Sequence, residues 1–501
     1  MAVISGPSVG PEQARGMTDS RSAWALSWPL LLGLAVFVFL NNPGGLPLLS
    51  DPDTHWHITV GNWILTHRTV PTVDIYSFTV TGQPWIAKEW LSQVLLALAF
   101  NLGGWGGVTT LAAAVIGFAF ALLPRLLMRD IRPLPALLFT VAALVMTAGH
   151  LLARPHMLAF PLVLLWVAGL VRAIEQRRAP DLWLLLIMLL WANMHGGFTL
   201  GLMLAGAFAL DALVGARDAG ERRALFFAWA KFGIAALLTA CITPYGPESI
   251  LVTSRIFSLG EALRLISEWQ PPDFQKQPWE ELVLLVALYL ALSRGLKLPL
   301  VRLLIVLGLV HLFLQYARNA ELLATLAPLA IAPLLARQFP GMAAQAQASG
   351  RFDALSRPAG PAGLAACLGA AGLLAGVLIG LGRIAPPPDN APTAAIAFAR
   401  EAGLTKGRVF NHYGFGGYLI SSGIPTFIDG RGELYGGDFI MRQVKAVALR
   451  SEEPLDALLD RYAIDWTMLM PDQAANQMLA RLPGWRRVYS DKVATIFVRD
   501  R

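Results

Sequence analysis

Long apolar runs recur through most of the first 385 residues of this 501-residue chain, and they constrain the fold more than any other feature. A run of about 20 apolar residues buries itself in a bilayer or in a very large core. Repetition of such runs, with only 15% charged residues overall against 55% apolar, excludes an ordinary soluble protein. Soluble domains carry roughly 25% charged residues. Disordered, collagen-like and disulfide-rich chains are excluded on the same grounds, and the two cysteines, Cys241 and Cys367, both lie within apolar runs. The formal charge of +7 does not point to nucleic acid, because the arginines sit in short clusters between apolar segments. Helical membrane proteins distribute basic residues in this way.

The first run, from about Trp24 to Leu40, is followed by Asn41-Asn42-Pro43 and not by a small-residue cleavage site, so it reads as an uncleaved span. Further spans are expected near 108–127, 134–152, 157–173, 181–194, 198–215, 224–243, 280–293, 299–316, 319–336 and 362–383. That makes about eleven, several of them shorter than a perpendicular crossing needs. The segment Glu89–Leu102 is apolar but short, and Gly103-Gly104-Trp105-Gly106-Gly107 follows it. Reading it as a helix lying along the membrane surface puts every basic loop on one side. Those clusters are Arg15/Arg21, Arg125/Arg129/Arg132, Arg172/Arg177/Arg178, Arg217/Arg222/Arg223, Arg294/Lys297/Arg302 and Arg337/Arg351/Arg357. The positive-inside rule makes that side cytoplasmic.

Three regions follow: a cytoplasmic tail over 1–23, a membrane domain over 24–384 with its first external loop at 42–107, and an external C-terminal domain over 385–501. The last opens on the stiff Pro386-Pro387-Pro388. Its pattern predicts a helix near 391–403, strands near Arg408–Asn411 and Thr426–Asp429, and a helix around Leu455–Tyr462. A strand Trp466–Met470, a short helix at 473–482 and a β-pair near Arg487–Tyr489 and Ala494–Val498 complete a small α/β domain. The expected fold is therefore an α-helical polytopic membrane protein with a small C-terminal α/β extracytoplasmic domain.

On this topology the unusual polar residues all fall on the external side. The first loop holds Asp51-Pro52-Asp53-Thr54-His55-Trp56-His57, Gly61-Asn62-Trp63 and Lys88-Glu89-Trp90. Span ends carry Arg154-Pro155-His156, Asn193-Met194-His195-Gly196-Gly197, Thr243-Pro244-Tyr245-Gly246 and Arg318-Asn319-Ala320-Glu321, and one loop holds Ser267-Glu268-Trp269. Polar groups at the bilayer edge are costly and tend to mark sites. Asp51 and Asp53 could serve as a general base, hold a divalent cation through oxygen ligands, or simply make a solvated turn. His55 and His57 are either metal ligands or, on the stronger reading, interfacial side chains packing at the headgroup level. Arg154 and Arg318 suit bidentate phosphate recognition, or else snorkel at helix ends. His195 could be a ligand or a close-packed helix terminus, and Glu268-Trp269 a site element or an interface anchor.

Gly414-Phe415-Gly416-Gly417-Tyr418 has the glycines of a phosphate loop without its Lys-Ser/Thr, so a nucleotide site is not expected there. Asp429-Gly430-Arg431 reads chiefly as a strand end and tight turn, with contact to a saccharide acceptor as the alternative.

The stretch Asp51-Pro52-Asp53-Thr54-His55-Trp56-His57-Ile58, with Gly61-Asn62-Trp63-Ile64, Pro71, Asp74 and Tyr76-Ser77-Phe78, resembles the first external loop of bacterial GT-C superfamily glycosyltransferases. The resemblance continues through Lys88-Glu89-Trp90-Leu91, Arg154-Pro155, Trp191-Ala192-Asn193-Met194-His195-Gly196-Gly197 and Glu268-Trp269. It reaches the tail at Phe410-Asn411, Gly416-Gly417-Tyr418-Leu419 and Asp429-Gly430-Arg431. Many such enzymes have Lys/His-Pro-Pro-Leu where this chain has Lys88-Glu89-Trp90-Leu91. The resemblance implies a multispanning enzyme of the bacterial inner membrane using a polyprenyl-phosphate-linked sugar. It makes an acidic residue of the loop, Asp51 or Asp53, the catalytic base. The external Lys88, Glu89, Arg154, His195, Glu268 and Arg318 are then the expected substrate and phosphate contacts. The acceptor would be a glycan, lipid or protein hydroxyl, with no nucleic acid involved. A transporter of lipid-linked substrate and a non-catalytic envelope scaffold are the competing readings.

Overall fold

The computed structural model describes residues 22–42, 48–265, 269–345, 350–382, 384–388 and 391–500. The expected N-terminal cytoplasmic tail with Arg15 and Arg21, and the candidate Glu268, lie outside the described residues.

The chain is mostly helical. In order come α1 Trp28–Asn41, α2 Asp53–His67, α3 Trp90–Leu127, α4 Pro133–Thr147, α5 Pro155–Glu175, α6 Leu184–Met194 and α7 Phe198–Val214. Then follow α8 Ala219–Ala240, α9 Glu248–Arg255, α10 Pro278–Ser293, α11 Leu300–Gln315, α12 Ala320–Gln338, α13 Arg351–Leu355 and α14 Pro361–Leu381. Among the described residues, six helical segments are long and apolar enough to cross a membrane: those over 90–127, 133–150, 155–175, 219–240, 317–338 and 361–381. The other five expected spans are helices of 14, 11, 17, 16 and 16 residues (α1, α6, α7, α10 and α11). At 1.5 Å per residue, the shortest covers only about half of a 30 Å hydrocarbon core. Length and composition thus support six crossings where the sequence pattern suggested eleven.

The glycines at 103 and 104 break α3 into two helices: Gly104 has φ +55°, and the backbone is non-helical at both residues. The segment from Trp90 to Leu102 is therefore a helix of its own, as expected from its length. The second half turns back so tightly that a Cβ at Gly107 would lie 2.0 Å from the Ala99 carbonyl oxygen. Close crossings use glycine elsewhere too. Gly33 of α1 and Gly117 of α3 face one another, each Cβ position falling within 2.7 Å of the other's carbonyl oxygen. Small residues let apolar helices approach backbone to backbone. Gly61 does the same for α2, where a Cβ would meet the Gln93 carbonyl at 2.0 Å.

The basic loops collect at one end of the bundle. There Arg337 pairs with Glu175, Arg177 with Glu221 at 2.6 Å, and Arg132 with Asp353 at 3.8 Å. At the opposite end the N-terminus of α3, the N-terminus of α5, the C-terminus of α6 and the α11–α12 junction come together with α2.

The C-terminal region adds α15 Thr393–Glu401, α16 Gly416–Ser421, α17 Gly432–Tyr435, α18 Gly437–Val447, α19 Leu455–Arg461 and α20 Ala474–Leu479. Its strands are β1 Val409–Asn411, β2 Trp466–Leu469, β3 Trp485–Ser490 and β4 Thr495–Arg499, in the order β1-β2-β4-β3. β1 and β2 are parallel, and the other pairs antiparallel. Alternation of side chains divides the core between two faces. Val409, Trp466, Met468 and Ile496 pack on one side, and Phe410, Leu469 and Phe497 on the other. The strand expected at Thr426–Asp429 is an extended segment instead, because its backbone partner is the first loop. Thr426 makes a parallel bridge to Ser77, with Phe78 N donating to Thr426 O and Thr426 N to Tyr76 O, both at 3.1 Å.

The two regions share a core. Leu259, Ala262 and Leu263 of the loop after α9 are buried with Phe427, Ile440 and Leu458, and Ile420 of α16 is buried with Trp56, Val60 and Trp85. Replacement of Gly61 by valine is expected to push α2 off α3 and destabilise the protein by about 1–3 kcal/mol. Thermal unfolding of purified wild type and Gly61→Val in detergent measures it, and an unchanged midpoint would contradict the crossing.

Candidate functional site

α2 begins where Asp51 Oδ1 accepts the Asp53 backbone N–H at 2.7 Å, an Asx-type start that turns both carboxylates toward the same side. Arg154, at the cap of α5, meets both: Nη1 lies 3.1 Å from Asp51 Oδ2 and Nη2 2.5 Å from Asp53 Oδ2. The three side chains are 11%, 18% and 15% exposed, so the cluster is half-withdrawn from solvent yet reachable. The guanidinium occupies the position between the carboxylates that a cation would take. Among the described residues no group of three His, Cys, Asp or Glu is arranged to hold a metal ion. The Asp51–Asp53 pair holds the Arg154 guanidinium.

Beside this cluster lie Lys88, Glu89 and His195. Trp90 Nε1 donates to Asn193 Oδ1 at 2.8 Å and Ser92 Oγ to Met194 O at 2.8 Å, which fixes the start of α3 against the end of α6. Glu89 therefore faces His195 Nε2 at 3.6 Å and His57 Nε2 at 3.8 Å, beyond hydrogen-bond reach but in electrostatic contact. His195 Nδ1 accepts the Gly197 N–H at 3.1 Å, which places the imidazole proton on Nε2, toward Glu89. Gln93 Nε2 lies 3.3 Å from His57 Nδ1, and with the amide donating the proton again sits on Nε2. Burial, reinforced by neighbouring cations, keeps both imidazoles far below their ordinary range and so neutral. Burial raises the Glu89 carboxyl as well, and outweighs the opposing pull of Lys88, Arg154 and Arg318. Arg318 lies over the Trp269 ring at 4.6 Å and acts electrostatically on Lys88, Glu89 and His195.

The C-terminal region supplies a residue that the sequence reading missed. Glu433 of α17 accepts from Lys88 Nζ at 2.8 Å, each side chain being 13% exposed. Burial opposes both charges, but their mutual attraction prevails: Lys88 is raised and Glu433 lowered. The signal for Glu433 was its place two residues after Arg431, at the start of a helical turn. Tyr245, singled out only as a span end, binds the loop: its hydroxyl donates to Pro71 O at 2.7 Å and accepts from Ala87 N at 3.1 Å.

Asp429 and Arg431 lie beneath the site, at 0% and 1% exposure, and not on a surface that an acceptor could touch. Arg431 Nη1 pairs with Asp74 at 2.6 Å, while Nε and Nη2 take Asp429 at 2.8 and 2.7 Å. Tyr435 Oη and Thr426 Oγ1 donate to the same Asp429 carboxylate at 2.6 and 3.0 Å. The Arg431 guanidinium also lies over Trp85 at 4.8 Å and Tyr76 at 5.3 Å. Burial alone would push Asp429 up, but the charge and hydrogen bonds of Arg431 hold it below the usual carboxylate range. The structural reading of this motif therefore fits, and the acceptor-contact alternative does not. Gly430, between the two, touches the catalytic candidate: a Cβ there would lie 2.1 Å from Asp53 Oδ1. A Cβ at Gly417 would lie 2.2 Å from Pro52 O. Gly417, in the stretch with the glycines of a phosphate loop, and Gly430, in the expected tight turn, are both points of close approach to the Asp51–Asp53 turn.

His55 does not join His57. It packs between Trp105 and Tyr418, with ring centroids 4.6 and 4.3 Å away, and burial lowers it to about 4. The zinc alternative for these two histidines is thus not supported by their placement. The structure brings Asp51, Asp53, Lys88, Glu89, Arg154 and His195 to one locus, with Arg318 in electrostatic range.

Replacing Arg431 by methionine leaves Asp74 and Asp429 buried without their counter-charge, which is expected to cost about 3–5 kcal/mol. Because the Asp429 carboxyl is depressed in the folded state, its stabilisation is complete above the unfolded value of about 3.9. It is lost as pH falls through the depressed folded value. Unfolding midpoints of wild type and Arg431→Met between pH 3 and 7 (roughly the range the linkage spans) should show the acid-side loss in wild type only. Equal midpoints at neutral pH would remove the clamp from consideration. The chain matches no family model and no curated protein.

Proposed function

We propose that this chain is an inverting, GT-C-like glycosyltransferase that moves a sugar from a polyprenyl-phosphate donor to a hydroxyl of an envelope glycan, lipid or protein. On this reading it is a multi-pass protein of a bacterial inner membrane, with about eleven crossings, a cytoplasmic N-terminus and a periplasmic C-terminal region. The short helices cross where the bilayer thins or as part of a packed bundle.

The observation that supports the reading best is convergence. Carboxylates at 51 and 53, an arginine at 154 in contact with both, and Lys88, Glu89 and His195 gather at the end of the bundle opposite the basic loops. In the proposed step Asp51 or Asp53 takes the proton of the acceptor hydroxyl as its oxygen attacks the anomeric carbon. The bond from that carbon to the phosphate oxygen breaks, and its electron pair leaves with the polyprenyl phosphate. Arg154 serves twice, holding the base ionised and stabilising charge that develops on the leaving phosphate, together with Arg318 and Lys88. No nucleotide site is needed for a lipid donor.

The test follows release of polyprenyl phosphate from a panel of polyprenyl-phosphate sugars by protein in lipid, with candidate acceptors present. Asp51→Asn or Asp53→Asn is expected to lower the rate by about 10²–10⁴-fold, with the unfolding midpoint retained. Which substitution has the larger effect identifies the base. Turnover unaffected by either would sink the transferase reading. No turnover from folded wild-type protein with any donor would favour the scaffold.

A further inference from the structure

At the end of the bundle that carries the basic loops, α3, α5 and α12 line a cavity of about 390 Å³, within the usual range of ligand pockets. Its lining divides by chemistry. Leu126, Val171 and Leu329 are buried and form an apolar floor. Arg129 and Arg172 stand exposed at the rim. Leu329 lies nine positions before the end of α12 at Gln338, so the floor reaches about 13 Å along the helix.

Neither Arg129 nor Arg172 is ion-paired among the described residues, and each feels the other: Arg129 is lowered first by burial and then by Arg172. Two carboxylates also line the space, Asp130 and Glu175. Glu175 is held by Arg337, a residue outside the lining. Burial and Glu175 push Asp130 up to about 6, so it is ionised for the most part at neutral pH and loses its charge as the pH falls below that value. Two guanidiniums without a salt-bridge partner among the described residues thus stand at the rim of an apolar floor, beside Asp130. Guanidinium pairs suit phosphate oxygens, and a basic pocket between membrane helices suits a lipid headgroup.

We infer that Arg129 and Arg172 form a binding site for a phosphate anion, borne by a phospholipid whose first acyl carbons lie on Leu126, Val171 and Leu329. The site is separate from the Asp51–Arg154 cluster, at the other end of the bundle, and does not depend on the function proposed for that cluster.

The experiment measures the unfolding midpoint of the full chain in detergent as dioleoylphosphatidylglycerol, dioleoylphosphatidylcholine or inorganic phosphate is added. A ligand bound by the folded state raises the midpoint in proportion to its affinity. Phosphatidylglycerol is expected to raise it more than phosphatidylcholine, and Arg129→Gln with Arg172→Gln to weaken its apparent affinity by roughly tenfold per arginine. The pair Arg222→Gln and Arg223→Gln, near the start of α8, should keep the wild-type response. Arg129→Lys with Arg172→Lys keeps the charge, should retain part of the affinity, and serves if the glutamine pair fails to fold. An equal response to inorganic phosphate assigns the site to a free anion and overturns the lipid. A phosphatidylglycerol response unchanged by the glutamine pair, or lost equally in the Arg222/Arg223 control, overturns the site altogether.

Discussion

The buried Arg431 guanidinium, bridging Asp74 of the first loop and Asp429 of the C-terminal region, fixes everything above it. A charge at 1% exposure is tolerated only when its hydrogen bonds are met, and here two carboxylates and two aromatic faces meet them. Because Gly430 lies between Asp429 and Arg431, the same network sets the backbone against which Asp53 rests. The Lys88–Glu433 pair lies on the same side of the interface, two residues beyond the arginine. The helical and C-terminal regions therefore form a single electrostatic assembly at this end, and the proline run at 386–388 leads into a docked domain.

Charge balance at the site narrows how it could work. Among the described residues Asp51, Asp53, Glu89 and Glu433 face Lys88, Arg154 and Arg318, four carboxylates against three cations if all are ionised. An anionic donor would enter a site that is already slightly negative. Glu89 is the group that can relieve this, because burial biases it toward the uncharged form and the two imidazoles beside it are neutral. With Glu89 protonated the balance is even.

Much of this was legible in sequence, for reasons that differ by residue. The helices were readable because apolar length is a local property, and the break at Gly103–Gly104 was readable from paired glycines after a short run. That Asp51, Lys88, Arg154 and His195 gather at one end was expected from the order of apolar runs along the chain. Contacts between distant segments were not readable. Nothing near Thr426 announces that its backbone pairs with Ser77 and not with another strand of its own sheet. The glycines at 417 and 430 carry no local signal for the partner they approach, so they looked like turn or loop glycines. Glu433 was missed because an acidic residue at a helix start is commonplace, and its meaning lies in Lys88, 345 positions away.

The two ends of the helical bundle put arginine to different uses. At the site end Arg431 is committed to carboxylates, which fixes position and lowers the proton affinity of Asp429. At the other end Arg337 and Arg177 tie helices together through Glu175 and Glu221, while Arg129 and Arg172 keep their charge open over an apolar floor. A committed arginine contributes specificity of geometry, because its counter-charge is already chosen. An open one contributes affinity for whatever anion the surroundings supply, and at a membrane surface the most concentrated anion is a lipid phosphate. The same residue type thus holds the structure rigid at one face and, in the inferred lipid site, would bind a headgroup at the other.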